Sequence, residues 1–557
     1  MTQLFPKPSI FQRLPVELIG SVLEQLDIST LLRCTQICRQ LRLLIKKSVA
    51  LQYKIELYAC NMVDGPPSNV VKAARLRMLH AHQRAWRRIE WSGRSSIPLS
   101  EPEVSTESAW EFLGGVLGLA AGQRLRFIQV PSALRGIEEK HWVIENIGFR
   151  IKDFGMDPAQ DLLSIIEISE APSDETFTLH IRSLSTGEPH PLAQVCKLPY
   201  RSTFDVGEWW YVIQVHGHQV AIMCQSLSGD ESELVVYDWQ TGVQRKIILG
   251  FIQTYSFLNE RYLMLGVTWD DPDGVVLSLE VIDLDEPPSV KVELSQGASH
   301  CAFQFPALRD LPEDPELAIR TDHTSQANTP LTKSVPFTTS QDDRLLVISS
   351  TCFSESKSNV LFVPLSAFLN KINLIPTEFS RGHIYPWETW GPDNTRMIEH
   401  SLSDVWFCYV HGMKVVVPLP DEQTVMLYDF NQRGIKRSLA KSTHITAPAP
   451  PSAPTTITLT HPPTPITPVP SPTPAPLTPT ITPFITAIDI DEPKTSYIIE
   501  DTLCPTQIFK QPLKTSLPCL IHTFPSPIPR SGSGFMLGED SLIVIPPNDG
   551  EFVLLSF

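Results

Sequence analysis

Residues 14–57 read LPVELIGSVLEQLDISTLLRCTQICRQLRLLIKKSVALQYKIEL, and this stretch decides the first domain of the chain. Its apolar residues recur at helical spacing and cover more than one face of each predicted helix. A segment of about 45 residues has too little interior to bury that much apolar surface by itself. The spare surface must therefore pack against the rest of the chain or against a partner protein.

The pattern predicts three successive helical segments. The first begins after Pro15, a residue suited to a helix start because its missing N–H costs nothing there. Its apolar stripe is formed by Leu18, Ile19, Val22, Leu23 and Leu26. Asp27 and Ser29 are candidate N-caps of the second segment, and a third continues to Ile55. The pattern alone leaves two interpretations open, a docking module or an ordinary helical subdomain packed on the rest of the protein.

The order and spacing of three motifs favour the docking module. LPxEL, VLxxLD and LLRCxxICRxLR follow one another in this order, and together they resemble the F-box over about 45 residues with no gap in the match. The F-box is the helical module that docks on a Skp-type linker protein in cullin-based ubiquitin ligases. One departure is that many F-boxes carry an aromatic residue where this chain has Leu41 or Leu51. The continuation as far as Trp91 resembles a group of F-box proteins from basidiomycete fungi.

The resemblance implies a set of residues that contact the Skp-type linker, and through the linker a cullin. These residues are Leu14, Pro15, Leu18, Leu23, Leu26, Leu31 and Leu41. Some of them are expected to belong to the module's own core instead.

The composition excludes several classes of protein. The 557 residues leave room for two to four domains, and 42% of them are hydrophobic. No apolar run approaches the ~18–20 residues that span a bilayer, and the first residues lack the apolar region of a secretory signal. The ten cysteines contain no CxxC pair. We therefore expect no membrane association and a reducing compartment, the cytosol or the nucleus.

The charge is unevenly distributed along the chain. Residues 1–95 carry a net charge of +9, whereas the whole chain carries −16. Much of the positive charge lies on a predicted helix that contains Lys72, Arg75, Arg77, Arg84, Arg87 and Arg88. This helix is either a solvated surface or an attractor for an acidic partner such as the linker. We expect no nucleic-acid binding, because the chain is acidic overall and the basic stretch lacks interleaved aromatic residues.

From about residue 105 the pattern changes from helical to strand period. Apolar strands that end in a polar corner and a turn recur, the clearest at Glu233–Gly242. Strand pairs that repeat about every 45–65 residues indicate the blades of a β-propeller. We count about seven blades, with six or eight as alternatives, and a β-sandwich as the other possible architecture. Since the GH…WD signature is missing, the domain is WD-like by resemblance only. The last strand, Phe552–Phe557, is predicted to close the ring on an early strand.

The predicted fold is multidomain, a small all-α module followed by an all-β propeller. Residues 1–60 form the F-box, 61–104 a helical linker and 105–557 the propeller-like domain. Residues 442–488 contain no Asp, Glu, Lys or Arg and are dominated by proline and threonine, which predicts a disordered loop between two late blades. Candidate sites for proline-directed kinases are Thr464, Thr467, Ser471, Thr473, Thr478 and Thr482. The alternative is a passive spacer.

Catalytic motifs are missing from the sequence. There is no GxSxG elbow, Walker loop, GxGxxG or HExxH. Gly114-Gly115 is interpreted as the turn of a strand pair, and His216-Gly217-His218 as a turn pair rather than a metal site. We therefore expect no catalytic residue, cofactor or metal. Three hypotheses remain: a substrate-recruiting subunit of a ubiquitin ligase, an F-box scaffold acting outside ubiquitination, or a propeller enzyme. The sequence does not identify the target protein.

Overall fold

The elements below belong to a computed structural model of the chain. It describes residues 14–104, 108–168, 176–202, 209–226, 232–271, 274–286, 291–295, 299–311, 315–322, 335–353, 357–376, 381–399, 409–418, 424–445, 494–504, 508–527, 534–545 and 550–557.

The N-terminal stretch folds into four helices, one more than the sequence predicts. They are α1 (Val16–Gln25), α2 (Ile28–Ile37), α3 (Arg39–Lys47) and α4 (Val49–Ala59). Side-chain caps divide them. The Asp27 carboxylate accepts a hydrogen bond from the Thr30 N–H at 3.0 Å, and the Ser48 hydroxyl accepts one from the Leu51 N–H at 3.4 Å. Each cap supplies an acceptor for an N–H that the next helix leaves free.

Two strands and a long helix connect these helices to the rest of the chain. The elements are β1 (Met62–Asp64), α5 (Lys72–Arg88), β2 (Gly93–Pro98) and α6 (Glu101–Val104). Helix α5 buries the apolar side chains of Leu79 and Trp86. It also buries two polar side chains, Arg75 and His82.

Mainly antiparallel sheets follow, and they form the blades of a β-propeller. The first blade contains β3 (Ala109–Leu113), β4 (Val116–Ala121), β5 (Arg124–Gln129) and β6 (Lys140–Ile144). The second contains β7 (Ile151–Asp157), β8 (Leu162–Glu167), β9 (Phe177–Ser183) and β10 (Lys197–Tyr200). The third begins with β11 (Trp209–His216), β12 (Gln219–Ser226), β13 (Ser232–Asp238) and β14 (Gln244–Gly250).

The fourth and fifth blades are interleaved along the chain. The next elements are β15 (Ile252–Phe257), β16 (Tyr262–Asp271), β17 (Gly274–Asp283), β18 (Val292–Glu293) and β19 (Cys301–Gln304). They are followed by β20 (Glu316–Arg320), β21 (Phe337–Thr339), β22 (Leu345–Cys352), β23 (Lys357–Pro364), α7 (Leu365–Ile372), β24 (His383–Tyr385), α8 (Trp387–Asn394) and β25 (Arg396–Glu399). The fourth blade has the order β15-β16-β17-β19-β24 and the fifth β20-β22-β23-β25, while β18 extends the third blade and β21 pairs with β1.

The last two blades complete the ring. The remaining elements of the chain are β26 (Val410–His411), β27 (Lys414–Pro418), β28 (Thr424–Asp429), α9 (Gln432–Ile445), β29 (Lys494–Ile498), β30 (Thr502–Cys504), β31 (Leu513–Thr515), β32 (Cys519–Pro525), β33 (Gly534–Leu537), β34 (Ser541–Ile545) and β35 (Glu551–Ser556). Strands β30 and β31 pair with each other in a separate two-stranded sheet. The sixth blade has the order β26-β27-β28-β32-β29, and the seventh the order β33-β34-β35-β2. The predicted fold class is confirmed, with seven blades.

The ring closes through β2, which is the outer strand of the seventh blade. Gly93 pairs with Ser556 and Pro98 with Glu551, so the predicted pairing of the last strand with an early strand is confirmed. Strand β2 lies inside the range 61–104 that the sequence analysis gives to a helical linker. This strand has the sequence GRSSIP and buries one apolar side chain, Ile97. With a single inward apolar residue, the sequence shows no alternation of apolar and polar residues.

The apolar core lies between neighbouring blades. Along β13, Val235 packs in the cluster shared with the second blade, and Val236 packs in the cluster shared with the fourth. Successive side chains of a strand point to opposite faces, so a blade covered on both sides needs a nearly continuous apolar run.

The strand connections define two faces of the propeller. The turns between the first and second strands, and between the third and fourth strands, lie at one end of each blade. We call this end the module face, because the chain enters β2 from it. The connections between the second and third strands, and those from blade to blade, lie at the other end, which we call the opposite face.

The Pro/Thr-rich stretch falls within the sixth blade. It follows α9, and the flanking strands β28 and β29 belong to the same sheet, so its predicted place between two blades is wrong. Residues 442–445 continue α9, and 446–493 lie outside the described residues. The candidate phosphorylation sites lie there too: Thr464, Thr467, Ser471, Thr473, Thr478 and Thr482. A uniform Pro/Thr composition carries no register, so the sequence could not place it.

In the described part of the chain, no helix combines the length and apolar character needed to cross a membrane.

Candidate partner-docking site

The helical module has its own small core. Its buried side chains are Ile19, Leu23, Leu31, Leu41, Ile45 and Leu51. The end of α1 is fixed by Lys54, whose ammonium donates hydrogen bonds to the Glu24 and Leu26 carbonyls, both at 2.7 Å. A cation at this end also complements the helix dipole. The module therefore holds α1 in place without help from a partner.

The outer side of α1 is apolar and exposed. Leu18 and Val22 lie one turn apart and are 52% and 51% exposed. Leu14 and Pro15, just before the helix, are exposed as well. We call Leu14, Pro15, Leu18 and Val22 the docking face. Exposed apolar side chains this close together are typical of a protein-interaction surface.

The structure divides the seven residues predicted to contact a linker. Leu14, Pro15 and Leu18 lie on the docking face, and Leu26 is half-buried. Leu23, Leu31 and Leu41 are buried in the module's core, at 3%, 0% and 9% exposure. Such a division is expected from the sequence, but the apolar pattern does not assign the residues to either group.

Several exposed apolar residues of the module were absent from the predicted contact set. They are Val16, Val22, Leu32, Ile37, Leu43 and Val49. Val22 was visible as part of the apolar stripe of the first helix. A stripe that wide covers two faces, and only packing decides which face turns inward.

The module is joined to the propeller by a small sheet. Strand β1 pairs with β21, which lies in the connection between the first two strands of the fifth blade. The Tyr53 hydroxyl, on α4, reaches this sheet and lies 2.9 Å from both the Asp64 carboxylate and the Pro336 carbonyl. The Asn61 amide donates to the Asp343 carbonyl at 3.1 Å.

Arg75 is the centre of this junction. Its side chain is 5% exposed and lies 2.5 Å from the Asp64 carboxylate. It also donates hydrogen bonds to the carbonyls of Gly65 at 3.0 Å, Pro66 at 2.6 Å and Pro336 at 3.2 Å. A buried guanidinium needs this many acceptors to offset its desolvation.

A second set of contacts ties α4 to α9 of the sixth blade. Arg437 forms a two-pronged ion pair with Glu56, with one N–O distance of 2.6 Å. The Arg433 guanidinium lies over the Tyr58 ring, 3.9 Å from its centroid. The Asn431 amide donates to the Ala59 carbonyl at 2.9 Å.

A third set ties α5 to the first and seventh blades. His82 lies 2.8 Å from the Asp540 carboxylate, which also pairs with Arg135. Burial alone would raise the pKa of Asp540, but Arg135 and His82 lower it well below its usual range. Trp86 stacks on Phe557, with ring centroids 4.0 Å apart. The three sets of contacts together fix the module on the module face.

The opposite face carries exposed aromatic side chains that sequence reasoning did not single out. Trp210, near the start of β11, is 61% exposed, and Phe353, just after β22, is 66% exposed. Large aromatic residues in such positions are typical of binding surfaces. The opposite face is therefore the candidate surface for a second partner.

One group of side chains in the described residues has the spacing of metal ligands. Asp283, Glu286 and His300 lie together. The carboxylates already face cations, however: Asp283 lies 2.7 Å from Arg261, and Glu286 lies 2.8 Å from Arg381. This arrangement is an ion-pair network in which both carboxylates already face guanidinium groups.

The two sequence features considered for chemistry are turns. Gly114 and Gly115 have φ of 58° and 76° in the hairpin between β3 and β4, where glycine adopts left-handed φ without strain. His216 and His218 flank Gly217 in the hairpin between β11 and β12. Both interpretations as turns are confirmed.

Comparison with known proteins adds one assignment. Residues 11–55 match the F-box-like family model. The match covers α1 to α3 and most of α4, so the chain carries an F-box-like module followed by a seven-bladed propeller. No curated protein matches the chain.

Among solved structures, the chain is similar to the WD40 domain of SCAP from fission yeast, at 8% identity and a TM-score of 0.30, over 80% of this chain and 82% of that one. It is similar to the tricorn protease at 12% identity and a TM-score of 0.28, over 60% of this chain. It spans only 28% of the tricorn protease chain. It is also similar to the AfRom2 CNH domain, at 10% identity and a TM-score of 0.26, over 60% of this chain and 95% of that one. At these identities and scores the likenesses carry no argument about function.

Proposed function

We propose that this chain, an F-box-like module fixed to a seven-bladed propeller, is the target-recruiting subunit of a cullin-based, SCF-type ubiquitin ligase. The module binds a Skp-type linker protein, the linker connects to a cullin, and the propeller binds the target. The observation that best supports this proposal is that the family match and the exposed apolar surface lie in the same part of the chain. The residues that match the F-box-like family are the same residues that leave the docking face exposed.

The docking face is the expected contact with the linker. Leu18 and Val22 are each about half exposed, so a partner can still remove half of their apolar surface from water. At ~25 cal/mol per Å², truncating both to alanine removes about 2 kcal/mol of binding free energy. That corresponds to an approximately thirtyfold weaker complex.

The proposed mechanism needs no catalytic group from this chain. The contacts of α4 and α5 fix the module on the module face, so a target bound on the opposite face is held at a constant position relative to the linker. Ubiquitin transfer is then accelerated by the high effective concentration of the target lysine near a charged conjugating enzyme. In this proposal the chain is an adaptor and not an enzyme.

The docking step is tested with purified Skp-type linker and the full chain. Leu18→Ala/Val22→Ala should weaken binding approximately thirtyfold. The matched control is Leu192→Ala/Val243→Ala, two side chains that are 63% and 55% exposed on the propeller. Both variants should melt at the parent temperature. If the docking-face variant binds the linker as tightly as the control does, the docking assignment is wrong.

A second experiment separates a ligase subunit from a scaffold that acts outside ubiquitination. Proximity labelling with the linker-binding variant collects targets that escape degradation. These targets are then added to a ligase reconstituted from linker, cullin, conjugating enzyme and this chain. Linker-dependent ubiquitination of a captured target supports the proposal, and captured targets that are never modified favour the scaffold.

We also propose that the protein works in the cytosol or the nucleus. The cysteines in the described residues are all free thiols, and Cys38 is exposed. Free thiols persist in a reducing compartment. Imaging of a tagged full chain in its native cell tests this, and a secreted or vesicular signal would contradict it.

A further inference from the structure

Two neighbouring helices of this acidic protein carry only positive charge. Helix α5 contains six Lys or Arg and no Asp or Glu, and α9 contains four and none. The whole chain has 61 acidic and 45 basic residues. A solvated helix in such a chain normally mixes both signs at i, i+4 spacing. The segregation of charge on α5 and α9 therefore requires an explanation.

The cations of α5 divide between its two sides. Arg75 faces inward and pairs with Asp64. Arg77, Arg84 and Arg88 are exposed and fall within about 40° of one another around the helix, over about 16 Å of its length. Among the described residues, neither Arg77 nor Arg84 has a carboxylate partner, and Arg88 meets Glu90 only at 3.5 Å. The outer side of α5 is thus a row of guanidinium groups in which, among the described residues, only Arg88 has a carboxylate partner.

Arg87 is also exposed and lies about 60° around α5 from Arg84, on the side of the helix near Cys60 and α9. The cations of both helices act on the thiol of Cys60, at the end of α4. Burial and Glu56 raise the pKa of Cys60 to about 11, while Arg87 and Arg437 oppose that rise. Arg437 is already paired with Glu56. The cations of α9 that are available to a partner are therefore the basic residues near Arg437 in the helix.

Arg433 and Lys436 on α9 are exposed, and Arg433 already stacks on Tyr58. In the described part of the chain neither forms an ion pair. We call Arg77, Arg84, Arg87, Arg433 and Lys436 the arginine platform. Its helices are held from behind by the Arg75, Arg437 and Trp86 contacts, so the platform is a fixed surface.

We propose that the arginine platform binds an Asp/Glu-rich segment of a partner protein. Guanidinium groups pair with carboxylates in a two-pronged geometry, and five exposed cations that form no ion pair among the described residues create a local positive field on an otherwise negative molecule. Residues 442–488, which begin in the last turn of α9, contain no Asp or Glu. A nucleic acid fits less well, because it would be repelled by the remaining net negative charge and would find little to stack on, since Tyr58 is already covered by Arg433.

The inference does not depend on the proposed function, because no docking-face residue belongs to the platform. The probe is a fluorescent twelve-residue glutamate peptide, titrated with the full chain at low and physiological salt. Arg77→Gln/Arg84→Gln/Arg87→Gln should raise its Kd about tenfold, and binding should weaken as salt increases. The matched control is Lys197→Gln/Lys291→Gln/Lys510→Gln, three exposed lysines elsewhere on the propeller. The docking-face variant Leu18→Ala/Val22→Ala should bind the peptide like the parent.

Three outcomes would overturn the inference. The first is no peptide binding by the parent chain. The second is an equal loss in the platform and control variants, which would mean that the peptide reads only net charge. The third is tighter binding of a single-stranded oligonucleotide of equal charge with the same dependence on the platform, which would make this a nucleic-acid surface. Loss of peptide binding with linker binding intact supports the platform whatever the fate of the ligase proposal.

Discussion

Arg75 should decide whether the module and the propeller move as one body. Replacing it with methionine keeps most of the side-chain volume and removes every polar contact that the Arg75 guanidinium makes at the β1–β21 junction. Asp64 then loses its cation, and the carbonyls of Gly65 and Pro66 lose their donors. Tyr53 remains, because its hydroxyl reaches Asp64 independently of Arg75.

The expected cost follows from the burial of the two partners. Breaking a buried charge pair costs ~3–5 kcal/mol. The Asp64 side chain is 44% exposed and regains water when Arg75 is removed, so the low end applies, about 3 kcal/mol. This cost falls on the local opening of the junction and corresponds to an approximately hundredfold larger open population.

Hydrogen exchange of the full chain measures that opening directly. Amides of Met62–Asp64 and Phe337–Thr339 should exchange about a hundredfold faster in Arg75→Met, while amides of the distant β13 stay unchanged. The control is Arg77→Met, two residues along the same helix but exposed and without an ion pair among the described residues. If both variants exchange alike at the junction, Arg75 does not hold it and the argument from burial fails.

Three further variants test the module core, the ring closure and a buried imidazole. Leu31→Ala should lower the free energy of unfolding of the module by about 3 kcal/mol, measured by urea unfolding. The control Leu32→Ala changes the adjacent side chain, which is 39% exposed, and should lower it by less than about 1 kcal/mol. Similar losses in both variants would contradict the assigned core. Ile97→Ala should lower the free energy of unfolding by about 3 kcal/mol and speed proteolysis at the seventh blade. The control Ser95→Ala changes an exposed side chain of the same strand and should have no effect. If Ile97→Ala also has no effect, β2 does not fasten the ring. Burial lowers the pKa of His216 to about 3, so the native state binds fewer protons than the unfolded chain between pH 3 and 6.5. Stability should then fall as the pH drops through that window, by at most about 1.4 kcal/mol per unit, and His216→Gln should flatten the slope; an unchanged slope would assign it to other groups.

Local patterns were sufficient wherever the period of the sequence matched the element. The helical period of residues 14–57 predicted the module, and the strand runs after residue 105 predicted a ring of blades. Even the closing role of the last strand followed from the need to leave no open edge. The strand β2 was not predicted, because its single buried residue, Ile97, produces no alternation of apolar and polar residues.

The choice between neighbouring residues of the same type came from packing. Leu18 and Leu23 belong to one apolar stripe, yet Leu23 is buried and Leu18 forms the docking face. Arg75 and Arg77 lie two residues apart in one basic helix, yet Arg75 is buried among acceptors, whereas Arg77 is exposed and has no ion pair within the described ranges. Helical period places the members of each pair on different sides of their helix, but it does not decide which side turns inward.

The sequence by itself therefore determined the element types, the two-part architecture and the resemblance of the first part, because each depends on spacing along the chain. Only the tertiary structure decided which face of α1 turns outward, that β2 fastens the ring, and that α5 and α9 bring their cations together. Those features depend on contacts between residues hundreds of positions apart, such as Glu56 with Arg437 and Gly93 with Ser556. Such contacts arise when the ring closes and places both partners side by side, and no local pattern encodes them.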